Sequence, residues 1–291
     1  MKPSAFAYAA PESVEHALDV LAAAGGDAKV LAGGQSLVPI LNMRLAAPPL
    51  VVDINRLTDL AYVRTEPDSV VIGALARHAD VERDKDAHLA IPLLRQALRL
   101  VAHPVIRNRG TTVGSLAHAD PSGEMTAVLA LTGGSVTAAS RDGGEREVAA
   151  ADFFLGPLES SLRPGELAVS ARFPRFPAGT HTAFVEVARR HGDYAMCGVG
   201  VAVAVEGGTV SSATAAFISM SPTPLVVDLT AAVAGRPVDS ADWAAAGDLV
   251  REVVDPEADI HATAHYRRHL AGVLTGRALA EATGAAAGQA A

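Results

Sequence analysis

Apolar residues recur along the chain with two periods, and the changes between them mark its elements. Beyond Pro11, residues Val14, Ala17, Leu18 and Leu21 fall at i, i+3, i+4 and i+7. That spacing predicts a helix that buries this face until Gly25-Gly26 ends it. In Lys29-Val-Leu-Ala-Gly-Gly-Gln-Ser36, Val30 and Leu31 predict a short buried strand, and a helix is expected from Leu37 to Leu45. Ser36 is the expected N-cap, Pro39 is tolerable in the first turn, and Pro48-Pro49 stops the chain after Leu45. Leu50 to Ile54 reads as a buried strand, which completes a β-α-β unit.

Beyond Asn55 the pattern restarts. Ser69 to Leu75 is an expected strand, and Ile91 to Val101 a leucine-rich helix with Pro92 in its first turn. The stretch from Arg107 to Pro121 has little apolar bulk, and it reads as a polar segment outside the core. Glu124 to Leu131 predicts a short helix, Ser135 to Ser140 a strand, Gly143-Gly144 a hairpin turn, and Leu167 to Phe173 a further strand. Asp152 is a candidate cap for the turn holding Phe153 and Phe154.

Pro174 and Pro177-Ala-Gly179 interrupt the chain and mark a boundary. After a strand from Thr182 to Arg190, every odd position from Val199 to Val205 is valine while the even ones are Gly or Ala. One face of that strand is bulky and suits a core; the other is thin and permits close approach. Thr209 to Ser219 is its expected partner after Gly207-Gly208. Helices near Ala241 to Val254 and Ala262 to Thr283 should cover one side of an antiparallel sheet. The Ala/Gly tail after Thr283 reads as disordered, and no internal repeat is evident.

Composition narrows the function. Of 291 residues, 49% are hydrophobic and 19% charged, enough for two or three compact domains. A net charge of −8 argues against nucleic acid or an anionic membrane surface. No apolar run approaches a membrane span and the N-terminus lacks a signal-peptide core, so a cytoplasmic location is expected. The single cysteine, Cys197, cannot provide the thiolates of an iron–sulfur cluster. His261, His265 and His269 are spaced to share one helix face, but without a metalloprotease acid nearby they read as solvated. Neither a phosphate loop ending in Gly-Lys-Ser/Thr nor Gly-x-Gly-x-x-Gly is found.

Two segments carry candidate chemistry. Strand, glycine turn and helix N-terminus around Gly33-Gly34 aim free N–H groups at one point, which suits a phosphate or pyrophosphate; an ordinary tight turn is the plain alternative. The hydroxyls and backbone of Thr111-Thr-Val-Gly-Ser115 offer a second set of donors. Together, Ala32-Gly-Gly-Gln-Ser36 and Thr111-Thr-Val-Gly-Ser115 resemble the paired FAD-binding motifs of the medium subunit of molybdenum hydroxylases, the carbon monoxide dehydrogenase and xanthine dehydrogenase family. Arg107-Asn-Arg-Gly110, Ala119-Asp-Pro121 and Arg189-Arg-His-Gly-Asp-Tyr-Ala195 extend the resemblance over nearly the whole chain.

The resemblance implies an α+β chain. It would hold a two-subdomain FAD-binding module of the vanillyl-alcohol-oxidase (PCMH) type at 1–57 and 58–176, followed by a C-terminal α+β domain at 178–285. Lys29, Val30, Leu31, Ala32, Gly33, Gly34, Gln35, Ser36 and Leu37 would wrap the FAD diphosphate from one side, with Thr111, Val113, Gly114 and Ser115 on the other. Val101, Ile106, Ala119, Asp120 and Leu167 would line the cofactor, Glu124 would meet FAD hydroxyls, and Tyr194 would lie against the isoalloxazine. Glu124 and Asp120 also suit a helix N-terminus and a cap. Val113 departs from the family, which commonly has glycine there; an extended backbone at this position is the expectation.

By the same resemblance, the chain is an electron-transfer flavoprotein. Electrons would come from [2Fe-2S] clusters on an iron–sulfur small subunit, after a molybdenum cofactor on a large subunit has oxidised the substrate, and pass from FAD to an external acceptor. The alternatives are a stand-alone FAD oxidase or dehydrogenase and a flavin-free interaction subunit. Arg107, Arg109, Arg189 and Arg190 are candidates for the surface facing the iron–sulfur subunit.

Overall fold

The computed structural model describes residues 2–240 and 242–284. Three sheets, each built from a continuous stretch of chain, give the molecule its plan. The first comprises β1 (Ala7–Ala9), α1 (Val14–Ala24), β2 (Ala28–Leu31), α2 (Leu37–Asn42) and β3 (Leu50–Asp53), with parallel strand order β1-β3-β2. Helix α1 obeys its periodicity: Ala17, Leu18 and Leu21 are buried, Ser13 caps it by accepting from the His16 N–H, and Gly25 ends it at φ +57°. Strand β1 pairs with β3 at the sheet edge. Strand β2 is half-buried rather than buried.

Helix α2 starts at Leu37 as expected but differs at both ends. Ser36 already has helical angles, φ −97° and ψ −46°, so its hydroxyl does not turn back to cap the helix. The helix stops at Asn42, before the prolines, because Arg44 takes φ +58°.

The second sheet has order β4-β5-β10-β6-β7, from β4 (Val63–Thr65), β5 (Ser69–Gly73), β6 (Ser135–Ser140), β7 (Gly144–Ala149) and β10 (Leu167–Pro174), all antiparallel. Between β5 and β6 lie six helices: α3 (His78–Arg83), α4 (Lys85–Ala90), α5 (Pro92–Leu98), α6 (Pro104–Arg107), α7 (Thr112–His118) and α8 (Glu124–Leu131). Here the polar-loop expectation fails. Arg107, Thr111, Thr112, Val113, Leu116 and Ala119 are buried, and much of the stretch is helical, because the Thr111 hydroxyl caps α7, that of Thr112 finds His78, and small side chains leave room for close packing. Asp152 also departs from its expected role: it lies inside α9 (Ala150–Phe153), whose N-cap is Ala149. A small pair, β8 (Phe154–Gly156) and β9 (Glu159–Ser160), follows.

The third sheet is antiparallel with order β11-β12-β13-β14: β11 (Thr180–Ala188), β12 (Ala195–Glu206), β13 (Thr209–Ile218) and β14 (Leu225–Asp228). It is followed by α10 (Thr230–Val233), α11 (Ala244–Val253) and α12 (Ala264–Thr283). Val199, Val201 and Val203 pack with α11 and α12 in one core, as the alternation requires. The thin face meets α5 and α8. Gly200 there brings Phe184 and Leu131 close, and Ala202 and Ala216 join the larger core of the first 176 residues. Ala241 and the tail beyond Gly284 lie outside the described residues.

His261 precedes α12, whose N-cap is Thr263, so the three histidines do not share a helix face; His265 and His269 are exposed. Among the described residues no group of acids, histidines and cysteine is placed to hold a metal ion, and no helix is long and apolar enough to cross a membrane.

Candidate functional site

Two turns, distant in sequence, meet at Gly33. A Cβ there would lie 2.5 Å from the Arg109 carbonyl oxygen and 2.7 Å from Gly110 Cα, so the contact is backbone against backbone. Gly34 follows at φ +74°, turning the chain from β2 into α2. In this conformation the backbone N–H groups from Gly33 to Leu37 donate to no acceptor among the described residues. Gly33 is buried and its successors half-buried, where unmade hydrogen bonds carry a cost. A run of converging donors at a helix N-terminus fits an anionic diphosphate, and it does so with no arginine in the turn. Gln35 stiffens the turn by donating from Nε2 to the Gly33 carbonyl at 3.1 Å; Lys29 points outward from β2.

A clamp holds the two turns together. Asn55 Nδ2 donates to the Ala32 carbonyl (2.9 Å) and to Asp53 Oδ1 (2.6 Å), while its Oδ1 accepts from Arg77 Nη2 (2.7 Å). Arg77 Nη1 donates to the Arg109 carbonyl at 2.8 Å. Beneath the second turn His78 is buried, with Nδ1 3.2 Å from Thr112 Oγ1. Burial and the Arg107 charge hold its pKa down at about 4, so the imidazole is neutral.

The second turn contributes fewer donors than the first. The Thr112 N–H reaches Ala76 O, the Gly114 N–H reaches Thr111 Oγ1, and the Ser115 N–H reaches Thr111 O. The N–H groups of Thr111 and Val113 and the Ser115 hydroxyl make no hydrogen bond among the described residues. Val113 is helical, not extended, and its side chain is buried in the core. Below it, α7 packs on β10, the strand that Leu167 opens. Leu167 is buried opposite Ala139 and is core. Ile106 sits under Gly110, whose N–H it accepts at 2.7 Å, and Val101 offers its carbonyl to Arg107 Nη1.

Arg107 does not face outward. It is buried, paired with Glu82 at 2.9 Å, and ties down the carbonyls of Val101 and Ala102. This overturns its expected place on a partner surface: the guanidinium holds the turn before the second motif. Arg190 pairs locally with Asp193 at 3.0 Å yet stays exposed, as do Arg109 and Arg189.

At the far end of the second turn, Ala119 takes φ +53° and Asp120 Oδ1 accepts from the Ser122 N–H at 2.9 Å, a local turn bond. Glu124 begins α8, and burial, then the Glu186 charge, push its pKa up to about 8. Burial overrides the helix dipole, which by itself would favour the carboxylate. Tyr194 stands in the loop before β12 with 70% of its surface exposed. Crowding around its hydroxyl, then the Asp120 and Glu124 charges, raise the phenol pKa. His191, in the same loop, has its ring 6.0 Å from that of His103, so the loop rests on the segment leading to the second motif.

Residues 4–176 match the FAD binding domain in molybdopterin dehydrogenase, and residues 182–282 match the CO dehydrogenase flavoprotein C-terminal domain. The chain belongs to the FAD-binding medium subunits of the molybdenum hydroxylases. FAD is the cofactor of this family. Among its relatives, the 6-hydroxypseudooxynicotine dehydrogenase complex subunit alpha of Paenarthrobacter nicotinovorans is 41% identical, over 97% of this chain and 96% of that protein. The caffeine dehydrogenase subunit beta of Pseudomonas sp. (strain CBB1) is 40% identical over 97% and 96%. The structure of quinoline 2-oxidoreductase from Pseudomonas putida 86 superposes with a TM-score of 0.92 at 35% identity, covering 98% of this chain and 99% of that one.

Sequence reasoning passed over several residues that shape this medium subunit's site. Asn55 served only as a boundary, and Arg77 and His78 stand in no motif; their roles depend on contacts made across the chain. Glu186 did leave a signal, as a lone acid in the apolar strand Ala183 to Val187. Cys197 is buried with its pKa pushed up to about 12, in line with the packed thiol that its small neighbours imply.

Proposed function

We propose that this medium subunit holds FAD as an electron relay. Electrons arrive from [2Fe-2S] clusters on a small subunit, after a molybdenum cofactor on a large subunit has oxidised the substrate, and leave for an external acceptor. The observation that carries the reading is the run of unpartnered N–H groups from Gly33 to Leu37, pressed against the second motif at Gly110. Bound FAD supplies the redox chemistry; the chain supplies binding, orientation and electrostatics.

In this reading Lys29 to Leu37 wrap the diphosphate, with the backbone donors doing most of the binding. Thr111, Val113, Gly114 and Ser115 close the other side. Val101, Ile106, Ala119, Asp120 and Leu167 shape the walls, Glu124 faces cofactor hydroxyls, and the open ring of Tyr194 covers the isoalloxazine. The three sheets correspond to two cofactor-binding subdomains at 1–57 and 58–176 and a C-terminal domain at 178–285. A cytoplasmic complex suits the lone cysteine.

The names of the relatives support a division of labour. Chains 33–41% identical to this one belong to proteins named for 6-hydroxypseudooxynicotine, caffeine, carbon monoxide and glyceraldehyde. Substrates so different are read elsewhere than on a shared flavin scaffold.

Reconstitution tests the proposal. The purified chain should take up FAD, and that flavin should be reduced by substrate only when both partner subunits are added. A folded chain that takes up no FAD would sink the reading, and substrate turnover by the chain alone would replace it with a stand-alone oxidase.

A further inference from the structure

The connection between β11 and β12, residues 189–194, carries Tyr194 and leaves the third sheet at the Ala188–Ala195 pair. Its own hydrogen bonds are local. The Asp193 N–H reaches the Arg190 carbonyl at 3.1 Å, and Arg190 Nε reaches Asp193 Oδ2 at 3.0 Å. The middle of the loop rests on His103, which a Cβ at Gly192 would meet at 2.6 Å. Its far end, where Tyr194 hands over to Ala195, is tied to the FAD-binding half through Ser219, the residue just past β13.

Ser219 takes φ +62°, an angle that L side chains rarely adopt. Each of its polar groups is engaged. The N–H donates to the Pro121 carbonyl at 2.8 Å, in the turn that follows the second motif. The hydroxyl donates to the Ala195 carbonyl at 2.7 Å. A hydroxyl has one proton to give, so the Ser122 hydroxyl, 2.8 Å away, is the donor in its contact with Ser219 Oγ. The bonds therefore run in one direction, from Ser122 to Ser219 to Ala195. The Ser219 carbonyl accepts from Arg267 Nη1 at 3.2 Å, and the same nitrogen donates to the Met196 carbonyl at 2.6 Å. Arg267 is itself buried and paired with Asp259 at 2.5 Å.

We propose that Ser219 is a positioning residue for Tyr194: its hydroxyl, between Ser122 and the Ala195 carbonyl, sets where the tyrosine stands against the turn from Asp120 to Ser122. If the position required only the left-handed backbone, glycine would meet it without strain. Serine adds the bridge between the two halves, and the surrounding bonds hold the backbone angle in place. Ala195 is buried and directly follows Tyr194, so a shift at its carbonyl is passed to the exposed ring. That the ring covers a flavin rests on the function proposed above; that Ser219 places the ring does not.

The test begins with the full chain without FAD, labelled with meta-fluorotyrosine at its four tyrosines. Tyr194→Phe identifies the Tyr194 signal by fluorine NMR. Ser219→Gly deletes the hydroxyl and eases the backbone, so that signal should shift or broaden while those of Tyr8 in β1 and Tyr62 beside β4 stay in place. Ser122→Ala, which removes the donor from the other side, should move the same signal. If neither variant moves it, or if both move all four signals alike, the proposal is overturned. With FAD bound, reoxidation of the reduced flavin by oxygen should change several-fold in Ser219→Gly, in the direction that Tyr194→Ala changes it. The Ser219→Gly, Tyr194→Ala double variant should go no further than Tyr194→Ala alone, because the serine acts through the ring. Additive effects would overturn that route, whereas a purely structural serine would leave the reoxidation rate unchanged. Failure of the wild-type chain to take up FAD would count against the proposed function instead, since the fluorine signals are read without cofactor.

Discussion

Gly33 and Gly110 meet with no side chain between them: a Cβ on the first would sit 2.7 Å from Cα of the second and 2.5 Å from the carbonyl of Arg109. Since backbone cannot swing aside, Gly33→Ala should part the two turns. It is expected to cost about 1–3 kcal/mol of stability, typical of overpacking, and to lower FAD retention at least tenfold. Flavin absorbance after desalting, beside a thermal melt, checks both effects.

Arg77 should matter through the carbonyl and amide it serves. Arg77→Ala leaves Asn55 Oδ1 and Arg109 O without their donor, a loss of about 1–3 kcal/mol for each group that stays dry. Arg77→Lys should recover little, because one ammonium cannot span both acceptors as the planar fork does. Denaturant melts of the two variants decide this; full recovery by lysine would show that charge alone is needed.

Tyr194→Ala should leave FAD binding nearly unchanged, since the proposed anchoring donors are the unpartnered N–H groups of Gly33 to Leu37. On the proposed reading the exposed ring covers the flavin, so the expected effect is on the rate at which reduced flavin reacts with oxygen or acceptor. Tyr194→Phe should keep the shield. Stopped-flow reoxidation compares the three proteins.

His78 predicts an acid limit. Its pKa is about 4 in the fold against an unperturbed 6.5, so the unfolded chain binds the extra proton between those values. Stability from this residue is full above about pH 6.5 and falls as pH drops towards 4, by about 3 kcal/mol in all. The His78→Gln variant should melt with a shallower acid dependence over that window. Equal slopes would mean that the imidazole is already charged.

Arg107→Glu should fail by misfolding. Reversing it puts two carboxylates together at Glu82 and frees the carbonyls of Val101 and Ala102, a loss of about 3–5 kcal/mol for a broken buried pair. The measurement is the yield of soluble monomer against Arg189→Glu, which changes an exposed residue and should fold normally.

What the sequence showed and what it hid have physical causes. Helix α1, the Val199 to Val203 face and the strand–glycine–helix turn at Gly33 were legible because each depends on local period or local backbone angle. The helix through Thr112 to His118 was not: its hydroxyl-rich composition reads as loop, and its burial comes from packing on β10, distant in sequence. The same holds for the Asn55–Arg77 clamp, which needs the first and second sheets side by side before either residue has a partner. Arg107 was misjudged because an arginine looks exposed until its acid, Glu82, is found on another helix.

The larger core does not end where the first family match ends. Phe184, Ala195, Ala202, Ala216 and Ile218, all beyond residue 176, are members of the core that also holds Val113, Leu116 and Met125. A fragment cut between the two matched regions would expose α8 and its apolar neighbours to water, so it should be sticky and loosely folded. Exchanging C-terminal halves between relatives would likewise transplant one wall of the flavin-binding half. The thin strand face, glycine and alanine at 198, 200 and 202, lets the two halves pack as one body.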